Sequence, residues 1–168
     1  MKLLYDFFKR DCLEVAPGLI GKILIRRFED GTEQSARITE TEAYRGEEDT
    51  ACHARFGKTG RTVQMYRDGG VIYVYLCYGI HWMLNIVTGE KENPQAVLIR
   101  ACEGMSGPGK LTKRLGITGE FNGGDIVSGI NLRIEDDGLK VGAAARKRIG
   151  IDYARETDRN RLWRFISA

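Results

Sequence analysis

The stretch VIYVYLCYGIHWMLNIVTG, Val71 to Gly89, decides the fold. It is rich in Val, Ile, Tyr and Trp, which fit a pleated, half-buried surface, and Tyr78-Gly79 interrupts it near the middle. It therefore predicts two strands turning at Tyr78-Gly79, the second running through Asn85 to Val87. Towards the C-terminus, PQAVLIRACE predicts a further buried strand ending near Arg100. GPGKLTKRLGI then predicts a turn feeding a helix, with Leu111, Leu115 and Ile117 at helical spacing after Pro108 and Gly109. NLRIEDDG and LWRFI predict short strands. Towards the N-terminus, KILIRRFEDGTEQSARITETEAY predicts a hairpin closed at Asp30-Gly31. DFFKRDCLEVAPGLIG predicts a helix carrying Phe7, Phe8, Leu13 and Val15 and ended by Pro17 and Gly18. Between them, Arg45 to Gly70 is dominated by Gly, charged and small residues and predicts a long loop of the kind that carries function. The expectation is an α+β fold: one domain, residues 1–168, with a curved, mainly antiparallel β-sheet core and surrounding helices and loops.

With 168 residues, 42% hydrophobic and 29% charged, the chain can bury one good core. No apolar run approaches the roughly 18 residues of a membrane span, and Asp6, Lys9, Arg10 and Asp11 interrupt the opening segment. The expected location is the cytoplasm, nucleoid-associated in a bacterium, with no membrane partner. Cys12, Cys52, Cys77 and Cys102 lie far apart without CxxC spacing and read as reduced thiols, so zinc is not expected. The net charge of +3 is too mild to name a partner, but its distribution is uneven. Lys140 to Ala168 holds eight Lys or Arg against three acids, leaving −2 for the remainder. A polyanion could dock there, although solvated basic tails are common.

On the ETEAY segment, strand alternation places Glu40, Glu42 and Tyr44 on the face of Ile38, apolar at one end and carboxylate-bearing at the other. The bland reading is an ion-paired Glu40 and a solvated Glu42; the sharp one is a cleft for acid–base work. Tyr73 and Tyr75 share a strand face, where packing is the ordinary role. Tyr78, at the presumed hairpin tip, is badly placed for a core and well placed as a wedge. Asp49 and His53 have i, i+4 spacing but no evident third ligand, and His81 reads as a packed or surface histidine.

LIGKILIRR, TETEAY followed by GEEDTACH, IYVYLCYGIHWMLNI, AVLIRA, GPGKL with LGI, and a late RIGI together resemble the alkyladenine (mammalian-type 3-methyladenine) DNA glycosylase family, in the family's order from about Leu19 onward. The resemblance implies a monofunctional glycosylase, without lyase activity, metal or cofactor. It would act as a monomer on double-stranded DNA containing alkylated or deaminated purines. It implies Glu42 as the carboxylate that activates water, with Arg100 helping to hold that water. Tyr44, His53 and Tyr75 would be walls of the base pocket, Asn85 its floor and Tyr78 the intercalating wedge, with Glu40 a structural neighbour. The chemistry agrees: a base must leave the stack to expose its glycosidic bond, and aromatic faces worth roughly 1–3 kcal/mol per base offset that cost. The chain departs from the family in a short Gly104-Met105-Ser106 segment where relatives carry a longer charged insertion, and in TGRTVQMY where Thr-Pro-Arg-Asn is common. Two alternatives remain at this point. One is a non-catalytic binder of damaged DNA. The other is a glycoside hydrolase using Glu40 and Glu42, against which stands their origin on one strand rather than on both sides of a bond.

Overall fold

A computed structural model describes all 168 residues. Two short helices open the chain, α1 (Tyr5–Phe8) and α2 (Cys12–Leu19), where one was expected. The break falls at Asp11, whose carboxylate accepts from the Leu13 N–H at 2.9 Å and caps α2. Pro17 does not end α2; it sits inside it, in the last turn, where its missing N–H forfeits a single bond. Cys12, Val15, Ala16 and Leu19 recur at helical spacing and are buried, which turns that face onto the sheet.

The strands are β1 (Ile23–Arg27), β2 (Glu33–Arg45), β3 (Ile72–Cys77), β4 (His81–Val87), β5 (Gln95–Cys102), β6 (Met105–Ser106), β7 (Leu132–Glu135), β8 (Ala143–Arg146) and β9 (Arg164–Ser167). Their order is β3-β4-β5-β2-β1-β7, with β6 on β5, β9 on β2 and β8 on β9, and every pair is antiparallel. The expected α+β fold with a curved antiparallel core holds. The hairpins at Asp30-Gly31 and Tyr78-Gly79 also hold, the second with positive φ at both Tyr78 (52°) and Gly79 (67°). The short segment after β5 folds straight back as β6. Strand β8 was not anticipated, because Ala143-Ala-Ala-Arg146 has little β propensity and exists as a partner for β9.

The sheet has two differently used faces. Ile72 and Val74 of β3, Leu84 and Ile86 of β4, and Val97 and Ile99 of β5 join α2 and the helix α3 (Pro108–Arg114) in the main core. The alternate residues, Tyr73, Tyr75, Met83, Asn85, Ala96, Leu98 and Arg100, face the other way and line a cleft. The Arg45–Gly70 segment covers part of that second face. It holds two 3-10 turns, His53–Phe56 and Val63–Tyr66, and packs Cys52, Ala54, Met65 and Tyr66 against Tyr73. A last helix, α4 (Glu156–Asn160), precedes β9. No helix is long and apolar enough to cross a membrane.

Candidate active site

The β2–β5 ladder is irregular where the carboxylates sit. Ile38 pairs with Cys102 and Glu40 with Ala101, leaving Thr39 as an extra residue on β2. Thr41 then pairs with Ile99, leaving Arg100 as the extra residue on β5. A bulge reverses the alternation beyond it. Ile38 therefore lies in the main core, as do Thr41, bonded to the Ala16 carbonyl at 2.8 Å, and Ala43, while Glu42 and Tyr44 turn to the cleft. The expectation that Ile38 shares the face of Glu42 is thus corrected, because uninterrupted alternation cannot anticipate a bulge. The second bulge frees Arg100 from the ladder and aims it at both carboxylates, 3.1 Å to Glu40 and 3.3 Å to Glu42.

Glu42 is 0% exposed and held by three donors. Its Oε1 accepts from the Tyr44 hydroxyl at 3.0 Å and from Arg100, and its Oε2 accepts from the Ile149 N–H at 2.7 Å. Burial pushes its carboxyl above the usual range, against the pull of Arg100, the Ile149 N–H and Tyr44. Oε2 keeps a lone pair for one more hydrogen bond. Glu40 binds both Arg100 and Arg164, the latter at 3.0 Å, and does not line the cleft. That removes the paired-carboxylate geometry on which a glycoside hydrolase would rest.

The cleft, about 600 Å³, collects all seven candidate residues: Glu42, Tyr44, His53, Tyr75, Tyr78, Asn85 and Arg100. The His53 ring meets Tyr75 edge-on at 4.5 Å, and its Nδ1 lies 3.1 Å from the Tyr73 hydroxyl. Burial and the charges of Arg61 and Arg55 lower His53 to about 4, so at neutral pH it is an uncharged imidazole. Asn85, buried, gives its amide hydrogens to the carbonyls of Tyr73 and Met83, both at 3.2 Å. Tyr78 stands at the mouth, 90% exposed, with Leu76 and Ile80 beside it on the hairpin. The exposed cations Arg61 and Lys110 also line the cleft.

Asp49 does not pair with His53. Both of its oxygens bind Arg148, at 2.7 and 2.9 Å, in an ion pair with almost no exposure. In the basic C-terminal region Arg148 is buried, Arg161 pairs with Asp158 and Arg164 with Glu40, while Lys140, Arg146, Lys147, Arg155 and Arg159 are exposed. Sequence reading counted Arg148 as tail charge and passed over Ile149. Only their place in RIGI marked them, because a backbone donor leaves no signature in residue type.

The cleft thus joins aromatic walls, a buried carboxylate and an exposed tyrosine, on a chain whose sequence has counterparts among known proteins. The family model for methylpurine-DNA glycosylase matches residues 6–106 and 103–168. The chain belongs to the methylpurine-DNA glycosylase family. Relatives carrying the name "Putative 3-methyladenine DNA glycosylase" occur in Borreliella burgdorferi, 48% identical with 95% of this chain and 92% of the relative covered. Another, in Natranaerobius thermophilus, is 43% identical, with 98% and 94% covered. A third, in Methanocella arvoryzae, is 43% identical, with 95% and 89% covered. As a member of the methylpurine-DNA glycosylase family the chain is a DNA glycosylase, the class its sequence pointed to.

Proposed function

We propose that this protein flips alkylated or deaminated purines out of duplex DNA and hydrolyses their N-glycosidic bond with water activated by Glu42. The carrying observation is the buried Glu42 carboxylate at the end of an aromatic cleft, held by Arg100, Tyr44 and the Ile149 N–H. A base entering the cleft stacks against Tyr44, Tyr75 and His53 while Tyr78 fills the gap left in the duplex. Cleavage proceeds through an oxocarbenium-like sugar. Glu42 stabilises that cation and takes a proton from the attacking water, and Arg100 orients the carboxylate.

An N3- or N7-alkylated purine carries positive charge. That charge draws it to tyrosine faces and makes it a good leaving group. Neutral lesions such as hypoxanthine and ethenoadenine bind the same slot, with His53 as a polar contact. The groups that hold Glu42 are Arg100, Tyr44 and the Ile149 N–H, and Lys110, the lysine of the cleft lining, is not among them, which supports a monofunctional enzyme that leaves an abasic site and an uncut strand. Residues 1–168 act as one monomeric glycosylase domain in the cytoplasm, where the four free cysteines stay reduced and DNA is at hand.

The test is incubation with duplex oligonucleotides carrying hypoxanthine, ethenoadenine or 7-methylguanine, followed by alkali. Alkali-labile sites that appear only after alkali support the reading. Tight binding without base release would make the protein a damage binder, and strand cleavage before alkali would reject the monofunctional assignment.

A further inference from the structure

Two backbone segments meet at Glu42: β2, which carries it, and the segment after β8, whose Ile149 N–H reaches Oε2. One buried side chain, Arg148, grips both. Its Nη1 donates to the Ala43 carbonyl at 3.0 Å and to Asp49 Oδ2 at 2.7 Å, and its Nη2 donates to Asp49 Oδ1 at 2.9 Å and to the Asp158 carbonyl at 3.3 Å. Ala43 lies between Glu42 and Tyr44, and Arg148 is the residue before Ile149. The guanidinium is also stacked 4.9 Å from the Tyr44 ring centre and 5.0 Å from that of Trp163, yet it does not line the cleft. Asp49 in turn accepts from the N–H groups of Arg45 and Ala51, where the covering loop begins.

We propose that Arg148, anchored by Asp49, is a positioning residue for Glu42, fixing the Ile149 N–H on Oε2 and the Tyr44 ring and hydroxyl on the other side. The inference rests on the reading of Glu42 as the base. A buried ion pair adds little to stability over a well-packed apolar replacement, so stability alone does not account for this one. What an apolar side chain cannot supply is a two-pronged planar grip joining a carbonyl, a carboxylate and an aromatic face. The charged and polar groups facing Glu42 are Arg100 from β5, Tyr44 from β2, and Arg148 with the Ile149 N–H from the C-terminal segment. Glu40 and Arg164 are paired with each other one step away.

The test compares Arg148→Met, Arg148→Lys and Glu42→Gln with the wild-type chain. The measurements are single-turnover base release against pH, lesion-duplex binding and thermal melting. Arg148→Met is expected to lose on the order of 10- to 100-fold in rate, as sites do when an orienting partner is removed. Lesion binding should be retained, and the acid limb of its profile should move to higher pH. Arg148→Lys keeps a charge near Tyr44 without the two-pronged grip; it should restore the limb but only part of the rate. If Arg148→Met does not fold, Arg148→Lys carries the test. A Lys variant with full rate, or a Met variant with the wild-type rate and an unmoved limb, overturns the proposal. So does a rate loss that tracks lost DNA binding or melting. If Glu42→Gln releases base normally, the reading of Glu42 falls instead, and the two failures are told apart.

Discussion

Replacing Glu42 by Gln changes one atom and tests the centre directly. The carboxylate satisfies three donors: the Tyr44 hydroxyl and Arg100 at Oε1 and the Ile149 N–H at Oε2. An amide has one acceptor. If its oxygen stays at the Oε1 position, its NH2 confronts the Ile149 N–H across a 2.7 Å contact. If it turns, Tyr44 can rotate its hydroxyl to accept, but Arg100 cannot. Either way one donor is stranded, at a cost of about 1–3 kcal/mol. Removing a fully buried negative charge offsets part of this, so the melting temperature should fall only modestly.

The rate should fall far more, because the amide neither takes a proton from water nor faces the sugar cation with charge. General-base loss alone is worth roughly 10²–10⁴-fold. The assay is single-turnover release from a 7-methylguanine or hypoxanthine duplex, with affinity measured separately by anisotropy. The expected result is a variant that binds the lesion duplex and does not process it. Release within tenfold of the wild type would refute the reasoning. Parallel losses of affinity and rate would mean that the stranded donor had collapsed the cleft.

Arg100→Met removes the cation that holds the Glu42 carboxyl down against burial, so the pH below which activity is lost should rise; a limb that stays in place counts against the Arg100–Glu42 coupling. Tyr78→Ala should leave melting within about 0.5 kcal/mol, as surface changes do. It should weaken lesion-duplex binding by roughly 1–3 kcal/mol, the worth of one aromatic–base stack, and unchanged affinity in an anisotropy titration would remove Tyr78 from the DNA. His53 has its folded-state pKa lowered to about 4 from an unperturbed 6.5. The unfolded chain therefore takes the proton first, and stability falls as pH drops from 6.5 towards 4. Melting curves across that window should flatten for His53→Gln, and an identical slope would mean that His53 is not held neutral.

The strand pairs and hairpin turns were legible because they rest on local signals: β-branched and aromatic runs for β3 to β5, and Gly at the turns. Where a longer-range partner decides, the pattern is silent. Asp11 divides the first helix because it caps α2 while pairing with Arg45, at 2.8 Å, and Gln95. Ala143–Arg146 becomes a strand only because β9 lies beside it. At the site, the side chains that line the cleft were legible as residue types on one face. The Ile149 N–H was not, since any residue has a backbone donor, and neither was the inversion at Thr39 that puts Ile38 in the core. Arg148 was visible only as charge, whereas its role is fixed by burial.

The bulges tie fold to chemistry. Burial by itself favours the neutral form of the Glu42 carboxyl, and a neutral acid cannot accept a proton from water. Regular β2–β5 pairing would keep Arg100 within the ladder. Dropping one residue from each strand in succession restores overall register after two steps, which leaves the core undisturbed on both sides. Over those two steps it turns Glu42 into the cleft and brings Arg100 to it. Burial then raises the carboxyl while Arg100, the Ile149 N–H and Tyr44 oppose the rise, leaving a stronger base than a solvated carboxylate that can still be ionised. If this balance operates, the acid limb of the wild-type rate profile lies above the roughly 4.3 of a free glutamate. It moves higher when Arg100 is lost, and vanishes with Glu42→Gln. A wild-type limb at or below the free value would mean that burial does not tune this carboxylate, and the cleft would then owe its rate to stacking and strain on the base instead.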